Sequence, residues 1–419
     1  VSDALATATA GPRPPRDAGS AATRTFLPYL EGMRGFFGLY VALSHMWFRA
    51  TALRPGLLPA TPFVNHFAAF GHNSIGMFIV ISGYVLGLPV ARRGQSFRGG
   101  LALFAKRRAL RILPAYYAAL LLAIPISYFV LPAYHEALST RNLAVSALLH
   151  AAMLHNLSNR LIETIDSPMW SIAVECDIYG LFALLLVPLA RRFGFVPMVI
   201  SAFTLGLIPT ALGALRREGA YYPLSESCFW YVGLFALGYA AANFTVDTRP
   251  AVVARLERWP WPWITLGFAV LVLAAVASAK PYDNSHGTRW LTDIFLGLAV
   301  AAQFTADAQA RRRGMRTWFE RFFLWRPLLF LGTFSYSFYL IHLPIIDLVA
   351  SLTRPNWTAA QVVAITGAGV AVALVVAYVF YLCVERPFMT EYRRAGDAQS
   401  LRSTAVSEIP DAAPAASNG

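Results

Sequence analysis

Apolar runs of about twenty residues recur along this chain, centred near Gly38, Ile81, Leu120, Gly180, Leu205, Leu234, Val270, Leu298, Tyr339 and Ala371. Each is long enough to cross a hydrocarbon core of roughly 30 Å as a helix. Inside a bilayer every backbone N–H and C=O must be satisfied internally, so only helices or a closed barrel can span it. Barrel strands would alternate polar and apolar residues in short segments, and these runs are continuous. The expected fold is all-α and polytopic, with ten transmembrane helices. Composition agrees: 57% of residues are hydrophobic and 14% charged, against about a quarter charged in soluble domains.

An even number of spans places both termini on one side. With that side cytoplasmic, 26 of the 35 Lys and Arg residues fall inside, the asymmetry that orients membrane proteins. The net charge of +13 then reflects topology rather than nucleic-acid binding. Residues 1–25 and 395–419, rich in small and polar residues, read as disordered cytoplasmic tails. Residues 26–394 remain as one membrane-embedded domain. The short apolar stretch Ala144–Leu157, with His150 and His155, reads as a re-entrant or interfacial helix on the outer side, before helix four. The three cysteines, Cys176, Cys228 and Cys383, have no spacing that suggests a disulfide framework or zinc site. No metal is expected.

Chemistry is expected where ionisable groups interrupt the apolar runs, because such groups are costly in a membrane. The first run carries Glu31, Arg34, Ser44 and His45. Arg34 and His45 are eleven residues apart, which places both on one helix face about 16 Å apart along the axis. If Arg34 marks the cytoplasmic boundary, His45 lies near the bilayer midplane. Arg107, Arg108 and Arg111 cluster at the start of helix three. Positive-inside anchoring alone accounts for such a cluster, and so does a site for phosphates, which arginine grips bidentately. Ser171, Glu175 and Tyr179 recur every fourth residue behind Trp170, which is placed as an interfacial aromatic. His45 is a candidate partner for Glu175. Ser335, Tyr339 and His342 share another face, with Pro344 expected near a kink.

These pieces stand in an order that resembles the acyltransferase 3 family of integral membrane enzymes. YLEGMRGFFGLYVALSH resembles the family's opening helix, with Arg34 and His45 in its arginine and histidine positions. IGMFIVISGYVLG resembles its aromatic-rich run ending in Ser-Gly, here Ser82 and Gly83. KRRALRILPAYY matches its arginine loop at Arg108 and Arg111. WSIAVECDIYG, LGTFSYSFYLIHLPI and VERPF, with Glu385 and Pro387, are similar to the later motifs. The resemblance runs from about Tyr29 to Pro387. Cys176 and Asp177 depart from the family's usual Glu-Gln pair after Glu175. The absence of an appended hydrolase-like domain reads as a stand-alone transferase.

The resemblance implies a bacterial inner-membrane O-acyltransferase that moves an acyl group, acetyl in the simplest case, from acyl-CoA to a hydroxyl. The acceptor would be sugar-containing: a cell-envelope glycan, a lipid-linked sugar or a glycosylated natural product such as a macrolide. His45 would act as general base or carry the acyl group, with Glu175 orienting or charge-balancing it and Arg34 holding phosphates or stabilising developing charge. Arg107, Arg108 and Arg111 would hold the donor phosphates. Ser82, Trp170, Ser171, Tyr179, Ser335, Tyr339 and His342 would line the substrate path. The reading requires His45 to lie within reach of a thioester delivered from the arginine side. The alternative from another class is a secondary transporter of an anionic or sugar-like solute, since intramembrane charge also marks transport paths.

Overall fold

The structure is a computed structural model describing residues 27–129, 140–157, 161–162, 164–215, 228–278 and 289–389. The expected terminal tails, and with them the side on which the termini lie, fall outside these residues. Among the described residues the chain is helical, with no strand. The principal helices are α1 (Pro28–Leu53), α2 (Asn73–Ala91), α3 (Gly100–Phe129), α4 (Thr140–Ala151), α5 (Met169–Leu181) and α6 (Phe195–Leu215). They continue with α7 (Tyr231–Val246), α8 (Trp261–Ser278), α9 (Arg289–Arg312), α10 (Arg326–Thr333), α11 (Ser335–Ala350) and α12 (Ala359–Phe380).

Among the described residues six helical runs are long and apolar enough to cross a membrane, or up to eight when two bent pairs each count as one span. The bent pairs are Pro250–Glu257 with Trp261–Ala277, and Arg326–Thr333 with Ser335–Ala350. The two remaining expected spans are helical but differ in kind. Helix α1 carries Glu31, Arg34, His45 and Arg49, and α7 is only 16 residues long. Helix α7 is the packed centre of the molecule, with Tyr231 through Ala242 buried. The outer helices show the opposite pattern. Only 17% of the Phe195–Leu212 window is buried, and Val196, Ile200 and Leu205 are exposed, as lipid-facing side chains should be. Helix α4, in the stretch that reads as re-entrant, spans 12 residues; Tyr116 Oη donates to the His150 carbonyl at 2.8 Å.

Without a hydrophobic driving force between helices in lipid, close packing depends on small residues. A Cβ on Gly83 of α2 would sit 2.1 Å from the Phe235 carbonyl oxygen of α7, and one on Gly238 of α7 would sit 2.1 Å from that of Val80. Two backbones thus touch at Gly83 and Gly238. Ser82, the preceding residue, points about 100° around α2 from that contact.

Helix α1 packs on α10, α11 and α12. Gly332 of α10 lies against the Glu31 backbone, and α10 then turns by 77° into α11. The turn falls at buried Phe334, where Ser335 Oγ donates to the Gly332 carbonyl at 3.0 Å. It does not fall at Pro344, which lies inside a continuous α11. Beyond the turn α11 runs parallel to α1. Gly38 meets Phe338, His45 meets His342 and Arg49 meets Asp347, in that order along both helices.

Candidate active site

A cavity of about 380 Å³ opens between α1, α2, α3, α5 and α11. Residue order along these helices gives it an axis. Glu31, Arg34, Arg107, Arg108 and Arg111 stand at one end. Ile79, Val85, Leu86 and Ile112 form its apolar body, and Ile75, Phe78, Ser171 and Tyr339 stand at the other end. Of the residues singled out from sequence, Arg34, Ser82, Arg107, Arg108, Arg111, Ser171, Glu175, Tyr179, Ser335 and Tyr339 line it together. His45, His342 and Trp170 are not among its lining residues.

The four arginines are not equivalent. Arg34 bonds Glu31 one turn earlier on α1, at 3.0 Å. Arg111 is ion-paired with Glu385, and its guanidinium lies 5.1 Å from the centre of the Tyr336 ring. The other Glu385 oxygen accepts from Ser337 N at 3.2 Å and Ser337 Oγ at 2.6 Å. Arg111 therefore ties α3 to α11 and the chain after α12, and its charge is already met. Arg107 and Arg108 have no ion pair among the described residues, and the buried Nε of Arg108 has no hydrogen-bond partner. A cation held unpaired on a cavity wall suits an anionic ligand. Glu385 and Tyr336 were not assigned site roles from sequence; the only signal for Glu385 was a carboxylate set in the VERPF motif.

Glu175 pairs differently from the sequence expectation. Its Oε1 accepts from Ser82 Oγ at 2.8 Å and from Tyr179 Oη, not from His45. The i, i+4 spacing of Glu175 and Tyr179 makes the second contact local, whereas the first joins α2 to α5. Glu175 thus belongs to the cavity wall. Beside it, Asp177 accepts from Asn156 Nδ2 at 3.0 Å and does not line the cavity. Trp170 is buried, with its ring 5.5 Å from His72 and 6.2 Å from Tyr231, so it packs inside the bundle rather than at an interface.

At the far end Tyr339 Oη and Ser171 Oγ lie 2.7 Å apart, and Tyr339 Oη also donates to the Pro168 carbonyl at 3.1 Å. This latched ring stands against His342, with ring centres 5.8 Å apart. His342 Nε2 in turn lies 2.7 Å from His45 Nδ1. The Tyr339 ring and then the His342 ring therefore stand between the cavity and His45. One turn beyond, Arg49 and Asp347 form an ion pair between α1 and α11. No group of three or more His, Cys, Asp or Glu suited to a metal occurs among the described residues.

Over residues 27–382 the sequence matches the family described as "Acyltransferase domain". The chain belongs to the acyltransferase 3 family. Its relatives include the peptidoglycan O-acetyltransferase OatA of Listeria monocytogenes, 25% identical over 369 residues, covering 82% of this chain and 54% of the relative. The acyltransferase MdmB of Streptomyces mycarofaciens is 24% identical over 403 residues, covering 92% of this chain and 97% of MdmB. The O-acetyltransferase OatA of Staphylococcus aureus is 23% identical over 348 residues, covering 78% of this chain and 51% of the relative. The chain thus spans about half the length of the OatA relatives. No solved structure matches it.

Proposed function

We propose that this chain is an inner-membrane O-acyltransferase that draws an acyl thioester, acetyl-CoA in the simplest case, into the arginine-ended cavity. It passes the acyl group to a hydroxyl of a sugar-containing acceptor. The observation that carries the reading is the cavity itself: Arg107 and Arg108 without an ion pair among the described residues at one end, and the Tyr339 and His342 rings leading on to His45 at the other. Arg34, Arg107 and Arg108 meet the donor phosphates by charge-assisted bonds. Arg111, already neutralised, holds the wall in place. The thioester arm runs along the apolar body, past Ser82 and Glu175, toward Ser171 and Tyr339.

His45 is the base that takes the acceptor's proton, or the nucleophile that first carries the acyl group. In either route an acyl C–O bond replaces the C–S bond, and the hydroxyl proton ends on the departing sulfur. For the thioester to meet His45, the Tyr339 ring must swing aside and break its bonds to Ser171 and Pro168. The sugar class of the acceptor is supported by the Listeria relative, named for peptidoglycan.

Purified protein incubated with labelled acetyl-CoA and candidate glycan acceptors tests the proposal. Transfer in detergent, lost in His45→Ala, is the expected result. Full transfer by His45→Ala removes the histidine from the chemistry, and no transfer from any thioester removes the donor class.

A further inference from the structure

The two rings that meet beyond Tyr339 hold more information than their proximity. His45 Nδ1 and His342 Nε2 are 2.7 Å apart, the ring centres are 5.0 Å apart, and the planes differ by 3°. The centre separation is the N···N distance plus one ring radius at each end. Two imidazoles can meet those values only edge to edge in one plane, along a straight N–H···N bond. Face-to-face stacking does not bring them there.

The far nitrogen of His342 decides who donates. His342 Nδ1 lies 2.8 Å from the Tyr339 carbonyl and 3.2 Å from that of Phe338. A carbonyl oxygen only accepts, so Nδ1 carries a hydrogen. In a neutral imidazole the other nitrogen is then a bare lone pair. His342 Nε2 therefore accepts, and His45 Nδ1 carries the hydrogen between them. The remaining His45 nitrogen, Nε2, is left with its lone pair and has no hydrogen-bond partner among the described residues.

We infer that His342 is a positioning residue that fixes His45 in the tautomer whose Nε2 is free to react. The inference rests on the proposed role of His45 and names what makes that role available. The chain of three atoms also accommodates the charge. When His45 Nε2 takes the acceptor's proton, its Nδ1–H can pass to His342 Nε2. His342 then holds the positive charge, with its own Nδ1–H still on the Tyr339 carbonyl. When the C–S bond breaks, the proton on Nε2 goes to sulfur and the bridging hydrogen returns to His45. No other reactant is needed. The same Tyr339 supplies the backbone anchor for His342 and the ring that closes the cavity, so both functions sit on one turn of α11.

The test pairs two substitutions with one spectrum. His342→Leu removes the acceptor, and transfer is expected to fall about a hundredfold or more, the range for losing a correctly poised base. His342→Gln offers a side-chain carbonyl to His45 Nδ1–H and is expected to retain transfer within about tenfold of the parent. Nitrogen NMR of protein labelled in histidine, assigned by difference against His45→Asn, is expected to show a protonated Nδ1 and a bare Nε2 on His45. That pattern should be lost in His342→Leu and kept in His342→Gln. Equal activity of the two variants, or a hydrogen on His45 Nε2 in the parent, overturns the inference. If His342→Leu does not fold, the parent spectrum decides alone. An inactive His45→Ala with an unimpaired His342→Leu sinks only this inference, whereas a fully active His45→Ala sinks the proposed function beneath it.

Discussion

Arg108 and Arg111 lie three residues apart on one face of α3, both on the cavity wall, yet their removal should have opposite effects on stability. Arg108 buries an Nε that has no hydrogen-bond partner among the described residues. An unmade hydrogen bond of this kind costs about 1–3 kcal/mol. Arg108→Met keeps the length of the side chain and removes the orphan, so the ligand-free protein should gain about 1 kcal/mol. The same change removes a charge-assisted bond to the donor, about 1.5–3 kcal/mol, and should weaken CoA binding roughly 10- to 150-fold. Arg111→Met leaves Glu385 without its ion-pair partner while Glu385 keeps only its Ser337 bonds. Breaking a buried pair costs about 3–5 kcal/mol. The low end, about 3 kcal/mol, is expected because the Arg111 side chain retains 25% of its exposure. Thermal unfolding in detergent with and without CoA measures both quantities. Arg108→Met should melt higher than the parent without CoA and respond less to it, and Arg111→Met should melt lower. A destabilised Arg108→Met with parental CoA affinity would refute the assignment of Arg108 as a cation awaiting a phosphate.

Three further outcomes follow from local geometry. Tyr339→Phe keeps the ring but removes the hydroxyl held by Ser171 and Pro168; losing about 1 kcal/mol of latch should speed acceptor-independent thioester hydrolysis by about fivefold, and an unchanged rate would make Tyr339 a packing residue only. Gly83→Ala sets a Cβ 2.1 Å from the Phe235 carbonyl oxygen, so α2 and α7 must part at a cost of about 1–3 kcal/mol, read as a lower melting temperature; no change would show that the contact is loose. Asp166, in the turn before α5, is 3% exposed with no hydrogen-bond partner on either carboxyl oxygen among the described residues, and burial first, then the like charge of Asp347, push its carboxyl well above the usual carboxylate range. A folded pKa above the unfolded one means the folded state binds the extra proton, so this group destabilises increasingly as pH rises out of the usual carboxylate range. The melting-temperature advantage of Asp166→Asn over the parent should widen in the same direction, and a gap independent of pH would rule this out.

The helical class could be read from the sequence because uninterrupted apolar runs leave the backbone few alternatives in a membrane. Local pairings were legible for the same reason that helices are regular: Glu175 and Tyr179 sit four apart and touch, and Ser335 and Tyr339 share the cavity wall. What periodicity could not supply was the partner across helices. His45 is a candidate partner for Glu175 on chemistry alone, whereas Ser82 of α2 is the residue that reaches Glu175 of α5 from another helix. A kink is expected near Pro344, whereas the sharp turn lies at Phe334. It follows from α10 crossing α1 at Gly332, a tertiary contact invisible in the local sequence.

The parallel course of α1 and α11 explains why His45 finds a histidine rather than a carboxylate. Once Gly38 faces Phe338, both helices advance together. The next interior residues are His45 with His342, and then Arg49 with Asp347. The charged pair is thereby displaced one turn beyond the histidines, and His45 meets a neutral acceptor in His342. A carboxylate in the place of His342 would hold His45 in the same tautomer but would add a fixed negative charge beside the path of a polyanionic donor. An imidazole keeps the orientation without that charge, so a thioester arm bound as proposed would meet no added negative charge there.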